Sequence, residues 1–161
     1  MVDCEEGNNG CTGGNTGRGL RYMQAKRLFE GGDYPYKAQE GTCQYDKLYK
    51  TEYVQMPADY TFFYKKGIPQ CYKLRYFLNR YESAVVVSVK TSDKWKYYKS
   101  GIIGEMFEDK ITTGHAVLAV GYTNDYWIVK NSWGSSWGED GYVKIEMDNN
   151  FNICKTGYVL P

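Results

Sequence analysis

Residues 114–145, GHAVLAVGYTNDYWIVKNSWGSSWGEDGYVKI, are the part of the chain that decides its fold. The alternation of apolar and polar residues predicts three β-strands, over 115–122, 125–130 and 141–147. The stretch also contains His115, which is the only histidine in the sequence, and Asn131. His115 begins the first predicted strand, and Asn131 lies at the end of the second.

The first two strands predict a contact between His115 and Asn131. A turn over 122–125, centred on Thr123, would set the two residues directly opposite each other. Opposed residues project from the same sheet face, with Cβ atoms about 4.5–5.5 Å apart. The asparagine oxygen could then accept a hydrogen bond from the imidazole and fix its tautomer, which is the orienting role in a nucleophile–base–orienter arrangement. Spacing alone favours the alternative, a histidine whose hydrogen bond to a polar cross-strand neighbour is only structural.

The bulk composition excludes several function classes. A net charge of +1 over 161 residues argues against a nucleic-acid-binding face and against a polybasic membrane patch. No apolar run approaches the roughly 18 residues that a membrane-spanning helix needs. The first residues have neither the basic nor the apolar region of a signal peptide. A single histidine and the lack of a Cys-x-x-Cys pair argue against a metal site, so we expect no metal and no cofactor.

The remaining segments predict an α+β fold. Thr16 can cap a helix that ends at Gly31 and Gly32. Residues 71–81 have the apolar spacing of an amphipathic helix, and residues 84–89 form a β-branched run typical of a buried strand. A helical part is therefore followed by a mostly antiparallel β part.

Several motifs, taken in this order, resemble those of the papain-like cysteine peptidases. They are VDCEEGNNGCTGGNTG, Tyr34-Pro35-Tyr36, DKWKYYKSGII, GHAVLAVGY and KNSWGSSWGEDGYVKI. The resemblance runs from Val2 to Pro161 and implies a two-subdomain fold that is incomplete here. Residues 1–57 would be the remainder of a helical left subdomain, and residues 58–161 an antiparallel, β-barrel-like right subdomain. A cathepsin L-like subtype is favoured, because cathepsin B-like enzymes carry extra histidines in an occluding loop.

The resemblance also implies roles for individual residues. His115 resembles the imidazole that pairs with the catalytic thiolate, and Asn131 the residue that orients it. Trp133 resembles the indole covering the His–Asn hydrogen bond, and Trp137 the aromatic wall on the leaving-group side. The expected substrate-binding residues are Gly13, Gly14, Asn15, Ser88, Gly114 and Ala116. Among these, the two adjacent glycines would bind extended peptide through the backbone, because no Cβ blocks its approach.

The cysteine count is odd, so at least one thiol is free or lacks its partner. The resemblance implies a Cys4–Cys43 disulfide and a Cys11 whose partner lies before Met1. Cys154 matches a cysteine whose usual partner precedes the histidine, but GIIGEMFEDKITTGH contains none. Cys71 matches no position of the family, and a Cys71–Cys154 bridge is one option.

The family's nucleophilic cysteine lies about 130–150 residues before the histidine, which places it before Met1. We therefore expect a cysteine endopeptidase by family, with this chain inactive alone because it lacks that cysteine. The alternative is a non-catalytic homologue that binds peptides or serves as a structural or storage protein; a Cys-His acyl transferase is weaker. An absent upstream helix would leave Leu20 and Met23 facing water.

The resemblance further implies peptide or protein substrates and protein inhibitors of the cystatin type. It implies a monomer when intact, with no nucleic-acid or membrane partner. It also implies a lysosomal, vacuolar or secreted location, which agrees with the expected disulfides.

Overall fold

The computed structural model describes residues 1–48, 51–56, 59–104, 113–148 and 150–160. The chain divides into one unit over Met1–Asp59 and a second over Tyr60–Pro161. The boundary predicted from the sequence falls on residues 57 and 58, which lie outside the described residues.

The first unit is built around helix α1, Thr16–Ala25. Asn15 caps this helix, because its side-chain oxygen accepts a hydrogen bond from the backbone N–H of Arg18 at 3.1 Å. The prediction that Thr16 is the cap is therefore wrong by one residue. The helix also ends at Ala25, before the two glycines predicted to stop it.

Local contacts hold the irregular remainder of the first unit. Cys4 and Cys43 form a disulfide, and the Tyr34 hydroxyl donates to the Asp3 carboxylate at 2.9 Å. Short 3₁₀ helices cover Gly10–Thr12 and Tyr45–Leu48. Leu20 is only 6% exposed and Met23 is half-buried, so the expectation that both side chains face water is wrong for Leu20.

The second unit contains a seven-stranded sheet, and the predicted α+β class is confirmed. The strands are β1 Thr61–Tyr64, β2 Val85–Thr91, β3 Ile102–Ile103, β4 Thr113–Tyr122, β5 Tyr126–Lys130, β6 Tyr142–Glu146 and β7 Thr156–Val159. Their order across the sheet is β1-β7-β2-β4-β5-β6-β3. Every neighbouring pair is antiparallel except β3 with β6, which is parallel.

Two α-helices and a 3₁₀ helix, Asn150–Asn152, accompany the sheet in the part of the second unit that the structure describes. Helix α2 spans Cys71–Tyr81, as the apolar spacing predicts, and buries Leu74, Phe77 and Leu78. The short helix α3, Asp93–Lys96, follows β2 and buries Trp95. No helix among the described residues has the length and apolar character needed to cross a membrane.

Strand β2 shows how the sequence pattern becomes a core. Its valines at 85, 87 and 89 are each at most 1% exposed, whereas Ser88 between them is exposed. Side chains alternate between the two faces of a strand, so the valines enter the core and Ser88 lies on the outer face.

A second disulfide joins Cys71, the first residue of α2, to Cys154, which precedes β7. The two cysteines are 83 residues apart in sequence, and Cys154 is fully buried. The backbone N–H of Gln70 also donates to the carbonyl of Cys154 at 2.8 Å. The disulfide and this hydrogen bond hold the start of α2 next to the segment that precedes β7.

Replacing both Cys71 and Cys154 with alanine should lower the free energy of unfolding by about 2–4 kcal/mol, because a cross-link over a long loop restricts the unfolded chain. Urea unfolding followed by tryptophan fluorescence would measure the change. Cys11→Ser is the matched control, since Cys11 is exposed and carries a free thiol. A loss no larger in the double variant than in the control would contradict this prediction.

Candidate active site

His115 and Asn131 are in direct contact. The His115 Nε2 atom lies 2.8 Å from the Asn131 Oδ1 atom. The same Oδ1 atom accepts a hydrogen bond from the backbone N–H of Ser132 at 2.8 Å. An amide oxygen has no proton to give, so Nε2 must carry the hydrogen. In the neutral ring Nδ1 then keeps its lone pair and can take up a proton.

The predicted register of this contact is wrong, although the contact itself is present. Leu118 pairs with Lys130 rather than with Ile128, two positions earlier, and the register shifts by one between Ala119 and Gly121. If the pairing continued, Asn131 would lie opposite Val117. His115 and Asn131 are therefore diagonal neighbours, which still project from one face because the offset is two residues.

The turn chemistry explains the error. The Thr123 hydroxyl accepts hydrogen bonds from the backbone N–H groups of Asp125 and Tyr126, both at 3.1 Å. The Thr123 N–H donates to the Tyr126 carbonyl at 2.8 Å. The turn is thus centred after Asn124 rather than on Thr123, which shifts the pairing by three residues. The β-bulge at Val120 reverses one of these, so the shift beyond it is two residues.

Tryptophan rings surround the pair. Trp133 stacks on the His115 ring with centroids 5.1 Å apart and planes 27° apart, and its own ring is 43% exposed. Trp137 meets Trp133 edge to face at 5.2 Å. Asn131 is 8% exposed, so the hydrogen bond to His115 is largely shielded from water. Its Nδ2 atom has no partner among the described residues.

Trp95 completes the aromatic group, although sequence patterns alone did not identify it as a site residue. Its ring is fully buried, stacks on Trp137 at 5.9 Å, and meets the His115 ring edge to face at 6.3 Å. The Trp137 indole N–H donates to the Trp95 backbone carbonyl at 3.1 Å. The sequence around a buried tryptophan in a short helix does not show whether that tryptophan belongs to a functional site or only to the core.

Strands β2 and β4 carry the predicted pocket residues of the second unit, and β4 also carries His115. Ser88 and Ala116 are cross-strand partners on β2 and β4, and both are exposed. His115, the residue before Ala116, pairs with Val89. Its side chain therefore projects from the face of β4 opposite to the one that carries the Ala116 side chain. Apart from Gly114 and its two chain neighbours, no heavy atom of the described residues lies within 4 Å of the position that a Gly114 Cβ would occupy.

The predicted glycine strip lies in the first unit. Gly13 has a φ of 113°, which favours glycine, and no atom lies within 4 Å of its missing Cβ. At Gly14 a Cβ would lie 2.5 Å from the Asn8 side chain. The Asn8 oxygen accepts a hydrogen bond from the backbone N–H of Asn15 at 2.6 Å, so Asn8 occupies the space that the glycine leaves. The roles of all these residues in substrate binding stay predictions.

A group of hydrogen bonds centred on the Glu139 carboxylate lies in the segment that carries the two tryptophans, close to its end at Gly141. Glu139 forms an ion pair with Lys144 at 2.7 Å. It also accepts hydrogen bonds from the backbone N–H of Gly101 and from the Tyr98 hydroxyl, both at 2.9 Å. These three hydrogen bonds lower the pKa of Glu139. The bond from Lys144 has the largest effect, followed by those from Gly101 and Tyr98. Burial raises the pKa of Tyr98 to about 12.

No group of three or more histidine, cysteine or acidic side chains that could hold a metal ion occurs in the described part of the chain. All five cysteines lie in that part, and four of them form the two disulfides. Cys11 is the remaining, free cysteine, and it is exposed.

The chain matches the model of the papain family of cysteine proteases over residues 1–159. It is 37% identical to a cathepsin L-like proteinase of Fasciola hepatica, covering 96% of this chain and 47% of that protein. It is 35% identical to procathepsin L of Rattus norvegicus, again over 96% of this chain and 47% of that protein. The chain thus spans about half the length of the curated relatives it matches.

Solved structures of proteases also have folds similar to that of this chain. A digestive procathepsin L2 proteinase from Tenebrio molitor larval midgut has a TM-score of 0.83 and 31% identity, over 98% of this chain and 50% of that one. The bromelain protease from Ananas comosus, solved in complex with the E64 inhibitor, has a TM-score of 0.77 and 29% identity. That match covers 98% of this chain and 73% of the bromelain chain.

The substitution Glu139→Gln keeps the size of the side chain and removes its charge. The pKa of Glu139 in the folded protein lies below the ordinary value of 4.5, so its carboxylate stabilises the fold above that pH. This contribution is lost as the pH falls through the folded-state pKa. We expect the urea midpoint of the variant to be lower than that of the unaltered chain near neutral pH, and the two midpoints to converge as the pH falls below 4.5 and through the folded-state pKa of Glu139. A difference that does not change with pH would contradict this.

Proposed function

The chain belongs to the papain family of cysteine proteases, and we propose that it supplies the imidazole half of an active site that hydrolyses peptide bonds. The observation that supports this most is the 2.8 Å contact between His115 Nε2 and Asn131 Oδ1, with the Trp133 ring stacked on the imidazole. A partly buried histidine whose Nε2 is held by an amide oxygen, which leaves Nδ1 as the proton acceptor, has the form of a general base held by an orienting group.

In the proposed mechanism His115 moves one proton. Its Nδ1 takes the proton from a cysteine thiol, which gives a thiolate–imidazolium pair. The sulfur attacks the peptide carbonyl carbon, and the carbonyl electron pair moves onto oxygen, where hydrogen-bond donors stabilise it. When the C–N bond breaks, His115 returns the proton to the departing amine. Water, deprotonated by the same nitrogen, then hydrolyses the thioester and releases the acid.

Asn131 has a separate part in this sequence. Its oxygen accepts from Nε2 in both charge states of the ring, so it holds the imidazole in one orientation while Nδ1 gains and loses the proton. Trp133 and Trp137 keep water from the Nε2–Oδ1 bond, which strengthens it. His115 and Asn131 are thus proposed as catalytic and positioning residues, and the two tryptophans as their supports.

We propose further that the nucleophile is none of the five cysteines of this chain. In the unit that carries His115, both cysteines are joined to each other in a disulfide. In the other unit, Cys4 is bonded to Cys43, and the free Cys11 lies in a short 3₁₀ helix among residues that resemble structural positions of the family. The thiol would then come from residues outside these 161, and the chain alone would not cleave peptides.

The same arrangement of cysteines favours a second candidate, a homologue that binds peptides without cleaving them. The two candidates share the His115–Asn131 pair and differ only in whether a thiol meets it. Peptide or protein substrates, protein inhibitors of the cystatin type and an intact monomer are proposed for the enzyme. The two disulfides support a proposed lysosomal, vacuolar or secreted location, because such bonds persist in oxidising compartments.

Labelling with a thiol-directed epoxide separates these possibilities. We expect the 161-residue chain to show no peptidase activity and no label, with Cys11→Ser behaving the same. The full gene product should take one label at a cysteine outside these residues and should lose both label and activity on His115→Ala. Label on Cys11, or activity of the chain that Cys11→Ser removes, would refute the proposed source of the nucleophile. A folded full product without label or activity would refute the enzyme and favour the binding homologue.

A further inference from the structure

The side chains of the candidate site depend on one loop. Asn131, Trp133 and Trp137 all lie between the end of β5 at Lys130 and the start of β6 at Tyr142. This segment, the Asn131–Gly141 loop, closes on itself at its base. The Asn131 N–H donates to the Gly141 carbonyl at 2.9 Å, and the Gly141 N–H donates to the Trp137 carbonyl at 2.8 Å. These internal bonds fix the shape of the loop but not its position relative to His115 on β4.

Glu139 connects this loop to a different part of the fold. Its Oε1 atom accepts from the Gly101 N–H at 2.9 Å and lies 2.9 Å from the Tyr98 hydroxyl. Both residues belong to the segment that directly follows α3, the helix that contains Trp95. The other oxygen, Oε2, accepts from Lys144 on β6 at 2.7 Å. One carboxylate therefore joins the loop, the segment after α3 and strand β6.

The neighbouring glycine makes this connection possible. Gly138 has a φ of 59°, and a Cβ there would lie 2.5 Å from the Tyr142 carbonyl oxygen and 3.0 Å from the Tyr98 ring. Any larger residue would push the loop away from Tyr98, which is 4% exposed. The close approach also brings the Tyr98 and Trp137 rings to within 5.6 Å of each other.

The Trp137 side chain carries the connection onward to the site. Its ring lies between Trp95 on one side and Trp133 on the other, at 5.9 Å and 5.2 Å. Trp133 in turn stacks on His115. A displacement of the loop at Glu139 would therefore move the ring that covers His115 and, through the loop base, the side chain of Asn131.

We infer that Glu139 is a positioning residue for the His115–Asn131 pair: by holding the Asn131–Gly141 loop against the segment after α3, it keeps Trp133 and the Asn131 carboxamide in place on the imidazole. The inference rests on the proposed function, since it assigns Glu139 to the same site. Glu139 acts entirely through other residues. It differs in this from Asn131, which contacts the imidazole itself.

The single histidine allows a direct test on the chain itself. We expect Glu139→Ala to speed solvent exchange of the His115 Nε2 proton about tenfold, as measured by NMR on nitrogen-15-histidine-labelled protein, because the loop loses the charged acceptor that binds Gly101 and Lys144 and shares the Tyr98 hydroxyl with the Gly101 carbonyl. Glu139→Gln retains an acceptor for Gly101 and Tyr98 and should restore part of the protection. Glu146→Ala is the matched control, since it removes an exposed carboxylate from the end of β6 and should leave the exchange unchanged.

A purely structural role would give a different result. The unfolding midpoint would fall in Glu139→Ala while the exchange rate of the Nε2 proton, measured well below that midpoint, stayed at the value of the unaltered chain. That outcome, or an equal effect in Glu146→Ala, would overturn the inference. If Glu139→Ala does not fold, Tyr98→Phe removes the hydroxyl contact with Glu139 together with the 2.7 Å bond from that hydroxyl to the Gly101 carbonyl. Faster exchange in this variant supports the inference and unchanged exchange contradicts it.

The readout is independent of catalysis. Absence of epoxide label on the full gene product would refute the enzyme but leave the exchange result standing. Labelling together with unchanged exchange in Glu139→Ala would refute the positioning role but leave the enzyme standing.

Discussion

The hydrogen bond from His115 Nε2 to Asn131 Oδ1 is the interaction on which the rest of the site depends. It determines which imidazole nitrogen is engaged and which is free. Asn131 is held for this task at two points, since its oxygen also accepts from Ser132 and its backbone N–H donates to Gly141. An acceptor fixed in this way can discriminate between the two tautomers of the ring, whereas a mobile acceptor would follow either.

The three tryptophan side chains next to His115 become more exposed with distance from the core. Trp95 is fully buried, Trp137 is 9% exposed and Trp133 is 43% exposed, and each ring contacts the next. The innermost ring is part of the hydrophobic core of the second unit, so the outermost is positioned by the same packing that stabilises the sheet. The site is in this sense an extension of the core rather than a separate structure on the surface.

Sequence reasoning succeeded where one local pattern determined one element. The apolar spacing over 71–81 predicted helix α2 with its observed ends, and the β-branched run after residue 84 predicted most of β2. It failed where a single side chain changed the backbone path. The Thr123 hydroxyl moved the turn, and the bulge at Val120 moved the register. The net shift in pairing at His115 is two residues, an even number, so His115 and Asn131 still project from the same face of the sheet. The roles of Trp95 and Glu139 depend on contacts between distant segments, and no periodicity in the sequence records such contacts.

The tautomer of His115 tests the central claim most directly. In nitrogen-15-histidine-labelled chain, a long-range proton–nitrogen spectrum, recorded at a pH where the nitrogen shifts show the ring to be neutral, reports which ring nitrogen carries the proton. The structure requires protonated Nε2 and unprotonated Nδ1, with Asn131→Ala giving a mixture of tautomers. Protonation at Nδ1, or the same averaged spectrum for the unaltered chain and for Asn131→Ala, would contradict the account.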